Sequence, residues 1–352
     1  MAIVFAILIF SFLIFIHELG HFMAAKASNV QVNEFAMFMG PALAKWQRGE
    51  TLYSIRCIPL GGYCAMEGED TDTDNPRSFQ KAAWWKRLCI LVAGSAMNFI
   101  AGFLIFALVL TAGEGLPQPV IAAAQEGNTV VYEEGLHIGD RILEVDGYQV
   151  YITSDVSMLL NTDSKTYDLV VQRDGEIIEL NDFTVELHEF TNQNGKTSKR
   201  LGIAFGYVEK TFGGLLTQTW KTCLSVVQSV RLSLKMLVTG QAGIKDMAGP
   251  VGIVGMMSET AQESKTTQDA ILNLLYFGGF IAVNLAVMNL LPIPALDGGR
   301  AVALLLTVAV EKIIRRKINP KYEGYIHAAG MVLLLALMAV IMFKDIFVIF
   351  KG

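Results

Sequence analysis

Three side chains in one apolar stretch could do chemistry together: His17, Glu18 and His21 within IFIHELGHFMAAK, residues 14–26. Histidines four positions apart stand on the same face of an α-helix, one turn above the other. Two imidazoles so placed can both reach one Zn2+ at about 2.0–2.1 Å. Glu18 lies beside them, where a carboxylate can hold an attacking water and take its proton. A catalytic zinc needs a third protein ligand and an open position. His137 and His188 fall in a polar, acidic region and His327 follows a basic loop, so none of the three is a good candidate. Asp297 remains: an acid at the end of an apolar, proline-broken segment, where burial calls for a cation. Ionisable groups in lipid cost ~2.5–3.5 kcal/mol each on insertion scales. A shared metal makes such a cluster tolerable.

The elements that must position these groups are apolar. The chain of 352 residues is 53% hydrophobic and 17% charged, with a mean hydropathy of +0.43, too apolar for an ordinary soluble protein. Four long apolar runs, 2–25, 88–112, 271–296 and 327–350, each approach the ~20 residues that a ~30 Å hydrocarbon core demands of a helix. The first has no basic leader and no clear cleavage site, which predicts a retained helix. The third is interrupted by Pro292 and Pro294, which remove backbone donors. Unpaired backbone at membrane depth persists only when buried in protein or lining a wet cavity. The last run reads as plain lipid-facing helix, and carboxylates in the apolar segments are read at Glu18 and Asp297 alone.

Charge sorts the connections. Residues 26–87 carry eight Lys/Arg and 298–326 carry six, whereas 113–270 carry 12 Lys/Arg against 21 Asp/Glu. The positive-inside rule makes the first two cytoplasmic and places both termini and the acidic central region outside. His17 then lies nine residues, ~13 Å, from the first cytoplasmic charge at Lys26. The net charge of −5 gives no basis for a nucleic-acid partner. Cys57, Cys64, Cys89 and Cys223 are scattered and form no metal or disulfide pattern.

Within the first connection, short strands are expected around Gly49 and a turn at Gly61-Gly62. DTDTDN, 70–75, lacks the glycine and distal glutamate of a calcium loop. Trp84, Trp85, Lys86 and Arg87 suit the headgroup region. Gly94, Ser95, Ala96 and Asn98 read as a helix-packing surface. Alternating runs with turns at Asp146-Gly147 and Asp174-Gly175 predict a β-rich soluble domain, and 215–237, with Lys221, Arg231 and Lys235, predicts an amphipathic helix on the outer membrane face. The expected domains are 1–112, a membrane half with the HELGH helix; 113–210, the β-rich insertion; 211–270, an amphipathic outer region; and 271–352, a membrane half carrying Asp297.

HELGH in a first membrane helix together with NLLPIPALDGG, 289–299, resembles the site-2 protease family. EEGLHIGDRILEVDGYQV, 133–150, is similar to a PDZ domain, and IPLGGY and AGPVGI are similar to the bacterial RseP-type branch, over nearly the whole chain. Ser95 stands where relatives often have proline. The resemblance implies a multi-pass α-helical membrane protein with four transmembrane helices, a re-entrant β element over 51–66 and an inserted PDZ-like domain. It implies an intramembrane zinc endopeptidase with His17, His21 and Asp297 as ligands and Glu18 as catalytic base. Asn284 and Asn289 would bind the unwound substrate backbone, and Gly61 and Gly62 of the hairpin would flank it. Substrates would be single-pass proteins already cut on the outer side, such as anti-sigma factors or remnant signal peptides, in a bacterial cell membrane. Two other classes compete: a PDZ-bearing scaffold with a non-catalytic metal site, and a metal transporter, which should carry more intramembrane carboxylates.

Overall fold

The structure, a computed structural model, describes residues 2–69, 73–124, 130–132, 135–160, 166–185, 188–191, 197–200, 202–243, 245–315 and 321–351. The acidic turn 70–75 and the 133–150 stretch therefore lie partly outside the described residues. The chain divides into two compact units, Met1–Ile105 with Ser229–Gly352, and Phe106–Gln228.

In the first unit, α1 spans Ala2–Ala27 and leads into a long antiparallel hairpin, β1 (Val32–Arg48) and β2 (Thr51–Met66). The hairpin turns at Gly49, whose φ of +61° suits a residue without Cβ. Residues 34–37 are paired on both sides: Phe35 stands opposite Cys64 in one direction and Tyr53 in the other. Gly61-Gly62 is thus not a simple turn. It lies inside β2, where the chain leaves one partner segment and returns to pair again. The tip is tied down by Glu50, which accepts from Lys26 Nζ at 2.6 Å and from both Arg77 Nη groups at 2.5 and 2.9 Å.

A 3-10 turn, Phe79–Lys81, precedes α2, Trp84–Ala112. A core of Ala25, Val30, Phe35, Cys64, Phe79, Ile90 and Leu304 packs where α1, the hairpin and α2 meet the later helix α7 (Asp297–Ile314). Four helices among the described residues are long and apolar enough to cross a membrane: α1, α2, α6 (Thr267–Asn289) and α8 (Lys321–Lys351). The multi-pass membrane architecture rests on these four. As the prolines require, the third apolar run is not one helix; α6 stops at Asn289 and α7 starts at Asp297.

The apolar stretch of α8 is exposed, as a lipid-facing helix requires, and the departure is near its end: Asp345 is 5% exposed and accepts the N–H groups of Gly249 and Gly252, both at 2.9 Å. These begin α5 (Pro250–Glu263), whose free N–H groups and positive dipole end favour an anion. Carboxylates in the apolar segments are therefore not restricted to Glu18 and Asp297.

The second unit holds β3 (Leu116–Ala124), β4 (Arg141–Val145), β5 (Tyr148–Gln149), α3 (Thr153–Leu159), β6 (Thr166–Arg173), β7 (Glu176–Thr184), β8 (His188–Thr191), β9 (Thr197–Arg200) and β10 (Ile203–Val208). A six-stranded sheet runs β10-β3-β4-β6-β7, with β5 paired to β4. Asp146-Gly147 and Asp174-Gly175 are two-residue hairpin turns with positive φ at all four residues, because that backbone matches the twist of the strands. Ile121, Ile142, Val145, Leu169 and Val171 fill the interior. Arg173 clamps the fully buried Asp140 with two bonds of 2.8 Å. The first half of α4 (Phe212–Thr239) belongs to this unit and buries Thr219, Thr222, Cys223 and Val226. Its Ser225 hydroxyl donates to Asp155, which also accepts the N–H of Tyr151 and Ile152 at the start of α3.

Candidate metal centre

The HELGH helix can hold its two imidazoles against α2 only because glycines clear the way. A Cβ at Gly20 would stand 2.4 Å from the Ala93 carbonyl oxygen, so α1 and α2 cross backbone to backbone there. A Cβ at Gly94 would stand 2.4 Å from His21 Nε2 and 2.7 Å from His17 Cε1. Gly94 is therefore more than a packing residue: it leaves the volume that the two rings occupy.

Asp297 arrives from the break between α6 and α7. The connection is folded tightly on itself. A Cβ at Gly298 would meet the Leu290 carbonyl at 2.3 Å, one at Gly299 the Ile293 oxygen at 2.2 Å, and one at Gly330 of α8 would meet Pro294 at 2.4 Å. Ala295 takes a φ of +81°, a conformation that costs a non-glycine residue of order 1–3 kcal/mol. Its N–H donates to His327 Nδ1 at 3.1 Å. His327 thus braces the loop that delivers Asp297, a role that its position after a basic loop does not suggest.

The donor atoms of His17, His21 and Asp297 lie within 4.8 Å of one another. The two Nε2 atoms are 3.1 Å apart, and Asp297 Oδ2 is 3.1 Å from His17 Nε2 and 3.3 Å from His21 Nε2. Tetrahedral ligands at ~2.0–2.1 Å from zinc stand ~3.3 Å apart, so these atoms have the spacing that the ion requires. Two further observations fit a metal. Asp297 Oδ2 is buried and makes no hydrogen bond. His21 Nδ1 faces the Ile90 carbonyl oxygen at 2.8 Å; a carbonyl only accepts, so the ring proton sits on Nδ1 and Nε2 presents a lone pair.

Glu18 lines the same cavity, about 720 Å³ in volume, and its side chain lies against β2, where a Cβ at Gly62 would be 3.3 Å from Glu18 Cγ. Tyr63, Glu69, Arg87, Arg300 and His327 also line it. Arg300, one turn after Asp297, pairs with Glu69 just beyond β2 and so ties the α7 start to the hairpin. Of the other residues expected from the sequence, Gly61 and Gly62 are not among the described lining residues; Gly62 packs against Glu18, and Gly61, with a φ of +79°, lies against Met39. Asn284 and Asn289 are half-buried on α6 and are not among the described lining residues.

Comparison with known proteins shows the family. The model of peptidase family M50 matches residues 5–337. A protein of Clostridium perfringens assigned as a zinc metalloprotease is 36% identical over 349 residues, covering 98% of each chain. One of Clostridium acetobutylicum with the same assignment is 36% identical over 351 residues, 98% of this chain and 97% of that one. The regulator of sigma-W protease RasP of Bacillus subtilis is 28% identical over 424 aligned positions, 97% of both chains. Helices of membrane-spanning length, a three-donor cluster of zinc spacing and a family match over almost the whole length lead to one conclusion: the chain belongs to peptidase family M50, the site-2 proteases, and is a membrane zinc metalloprotease.

Proposed function

We propose that His17, His21 and Asp297 hold the zinc, that Glu18 is the general base, and that the substrates are transmembrane segments of proteins already trimmed on the outer side. One observation carries this reading: three donor atoms converge at 3.1–3.3 Å beside a second acid, Glu18, with both imidazoles and Glu18 on α1, a helix of membrane-spanning length. When bound, zinc supplies Lewis-acid polarisation of the scissile carbonyl and makes a water acidic enough to attack near neutral pH. Glu18 takes the proton from the attacking water and passes it to the leaving amine.

A peptide bond within a helix is hydrogen-bonded and shielded, so the substrate must unwind before it is cut. The 62–66 segment of β2 runs along the cavity beside Glu18 and can take the extended substrate as an added strand, with Gly61 and Gly62 keeping side chains out of its path. Asn284 and Asn289 offer amides for the lost helix hydrogen bonds. Exposed Met39, Leu43 and Ile58 on the hairpin suit a re-entrant element in contact with lipid. The basic connections favour a cytoplasm-proximal zinc site with both termini outside.

The second unit supports a single PDZ-like domain over 113–210, between membrane halves 1–112 and 271–352 and followed by an outer region 211–270. Its role here is to exclude substrates with bulky outer domains. Deleting 113–210 across a short linker should permit cleavage of an untrimmed substrate. Loss of cleavage of a trimmed one, with zinc retained, would instead make the domain a docking site. The relative named regulator of sigma-W protease RasP makes anti-sigma factors a fitting substrate class, with remnant signal peptides the other.

The chemistry is tested with Glu18→Gln on the full chain in detergent. Zinc stoichiometry should stay at one while cleavage of a model transmembrane substrate falls by ~10²–10⁴-fold. Near-normal turnover would remove Glu18 from the reaction.

A further inference from the structure

Asn98 reads in sequence as one member of a packing surface. We propose instead that it is the positioning residue of His17: its amide oxygen accepts the imidazole Nδ1 proton and so directs Nε2 to the metal. The proposal rests on the reading that His17, His21 and Asp297 hold zinc.

Asn98 is 1% exposed in α2, and its side-chain amide lies 3.4 Å from His17 Nδ1. Its Oδ1 is buried without any hydrogen-bond partner, at a depth where an orphaned amide oxygen is costly. The two ends of a carboxamide have the same shape, and which is oxygen follows from their partners. A neutral imidazole carries one proton. With Nε2 facing Asp297 Oδ2 and the other Nε2, that proton belongs on Nδ1, and it then needs an acceptor. Turning the amide by half a revolution brings Oδ1 to Nδ1–H and gives that oxygen a partner. The same step takes Nδ2 away from a ring nitrogen that is itself a donor.

His21 meets the same demand differently, through the Ile90 carbonyl oxygen. Ile90, Gly94 and Asn98 are spaced by four and share one face of α2. That face serves both rings: a backbone acceptor for His21, a gap at Gly94 for the imidazoles themselves, and a side-chain acceptor for His17. An amide is suited to the third task, being a neutral acceptor that adds no charge to an apolar helix.

Zinc affinity, measured by chelator competition on the purified full chain, tests this. Asn98→Leu keeps the volume and loses the acceptor; Asn98→Asp keeps an acceptor. Partners of this kind contribute 10–100-fold to metal affinity, so Asn98→Leu should bind zinc about 10–100-fold more weakly, and Asn98→Asp more tightly than Asn98→Leu. The zinc-free Asn98→Leu protein should melt as cooperatively as wild type. Asn98→Leu within twofold of wild type, Asn98→Asp no tighter than Asn98→Leu, or loss of cooperative melting in zinc-free Asn98→Leu each overturns the proposal in favour of packing. Asp297→Asn, run alongside, separates the two readings. If it binds zinc as wild type does, the ligand assignment itself fails. If it loses zinc while Asn98→Leu does not, only the positioning role fails.

Discussion

Asp297 at the start of α7 and Asp345 near the end of α8 are both carboxylates in apolar surroundings, and the chain treats them in opposite ways. Asp345 Oδ2 takes two backbone N–H groups from the beginning of α5, and Oδ1 stands 3.0 Å from Lys344 Nζ. Gly249 and Gly252 leave it room: a Cβ on either would lie 2.7 or 3.1 Å from that oxygen. Asp297 Oδ2 accepts no hydrogen bond and instead points at two imidazole nitrogens. An acid in an apolar segment is therefore not a sign of a site by itself. What distinguishes the two is whether the fold supplies its partners or leaves them to be supplied. The same distinction weakens the transporter alternative, because the additional buried carboxylate is consumed in joining α8 to α5.

The comparison breaks most readily at the metal. Asp297→Asn should weaken zinc binding by more than about 100-fold, since even residues that only orient ligands contribute 10–100-fold. Asp345→Asn should leave zinc affinity within twofold. Equal losses in a chelator competition would erase the contrast.

A smaller effect should appear in stability, with the order reversed. Asp345→Ala orphans two N–H groups and should destabilise the zinc-free protein by about 1–3 kcal/mol for each. Unfolding in mixed micelles would register this, and zinc-free Asp297→Ala should change little on the same scale.

The smallest effect concerns a third acid that is satisfied by cations. Glu50 is held by Arg77 and then Lys26, which push its carboxyl down from 4.5 to about 2. A carboxyl lowered on folding adds stability that is fully present above pH 4.5 and is lost as the pH falls toward 2. Its side chain is 29% exposed, so the pair contributes no more than ~1 kcal/mol. Glu50→Gln should leave melting at neutral pH nearly unchanged and flatten its acid limb. An acid limb identical to wild type would show that the pair carries no linkage.

Much of this was legible in the residues. HELGH and Asp297 stand out because lipid penalises their types, and the α6–α7 break follows from Pro292 and Pro294 whatever the tertiary structure. The Asp-Gly hairpins are local chemistry as well. What escaped the sequence depends on partners far along the chain. Ile90 serves as an acceptor through its carbonyl, which no side chain reveals. His327 finds Ala295 because α8 packs on the loop at Gly330. The two-sided pairing of residues 34–37 has no local signal, and the turn chemistry of Gly61-Gly62 pointed to a simpler hairpin. Asp345 was hidden because its partners are backbone N–H groups within AGPVGI, a segment that the sequence links to the family but not to α8.

The first and last of the proposed ligands, His17 and Asp297, are 280 positions apart. At ~5–20 residues per second, a ribosome takes roughly 14–56 s to travel between them. Throughout that interval the nascent chain carries both imidazoles and Glu18, yet it lacks Asp297, the third ligand proposed above. A hydrolase that severs helices in the bilayer is a hazard to every half-inserted neighbour, including copies of itself. On that assignment the third ligand comes only after the proline break, so a product truncated or stalled before Asp297 cannot complete the set.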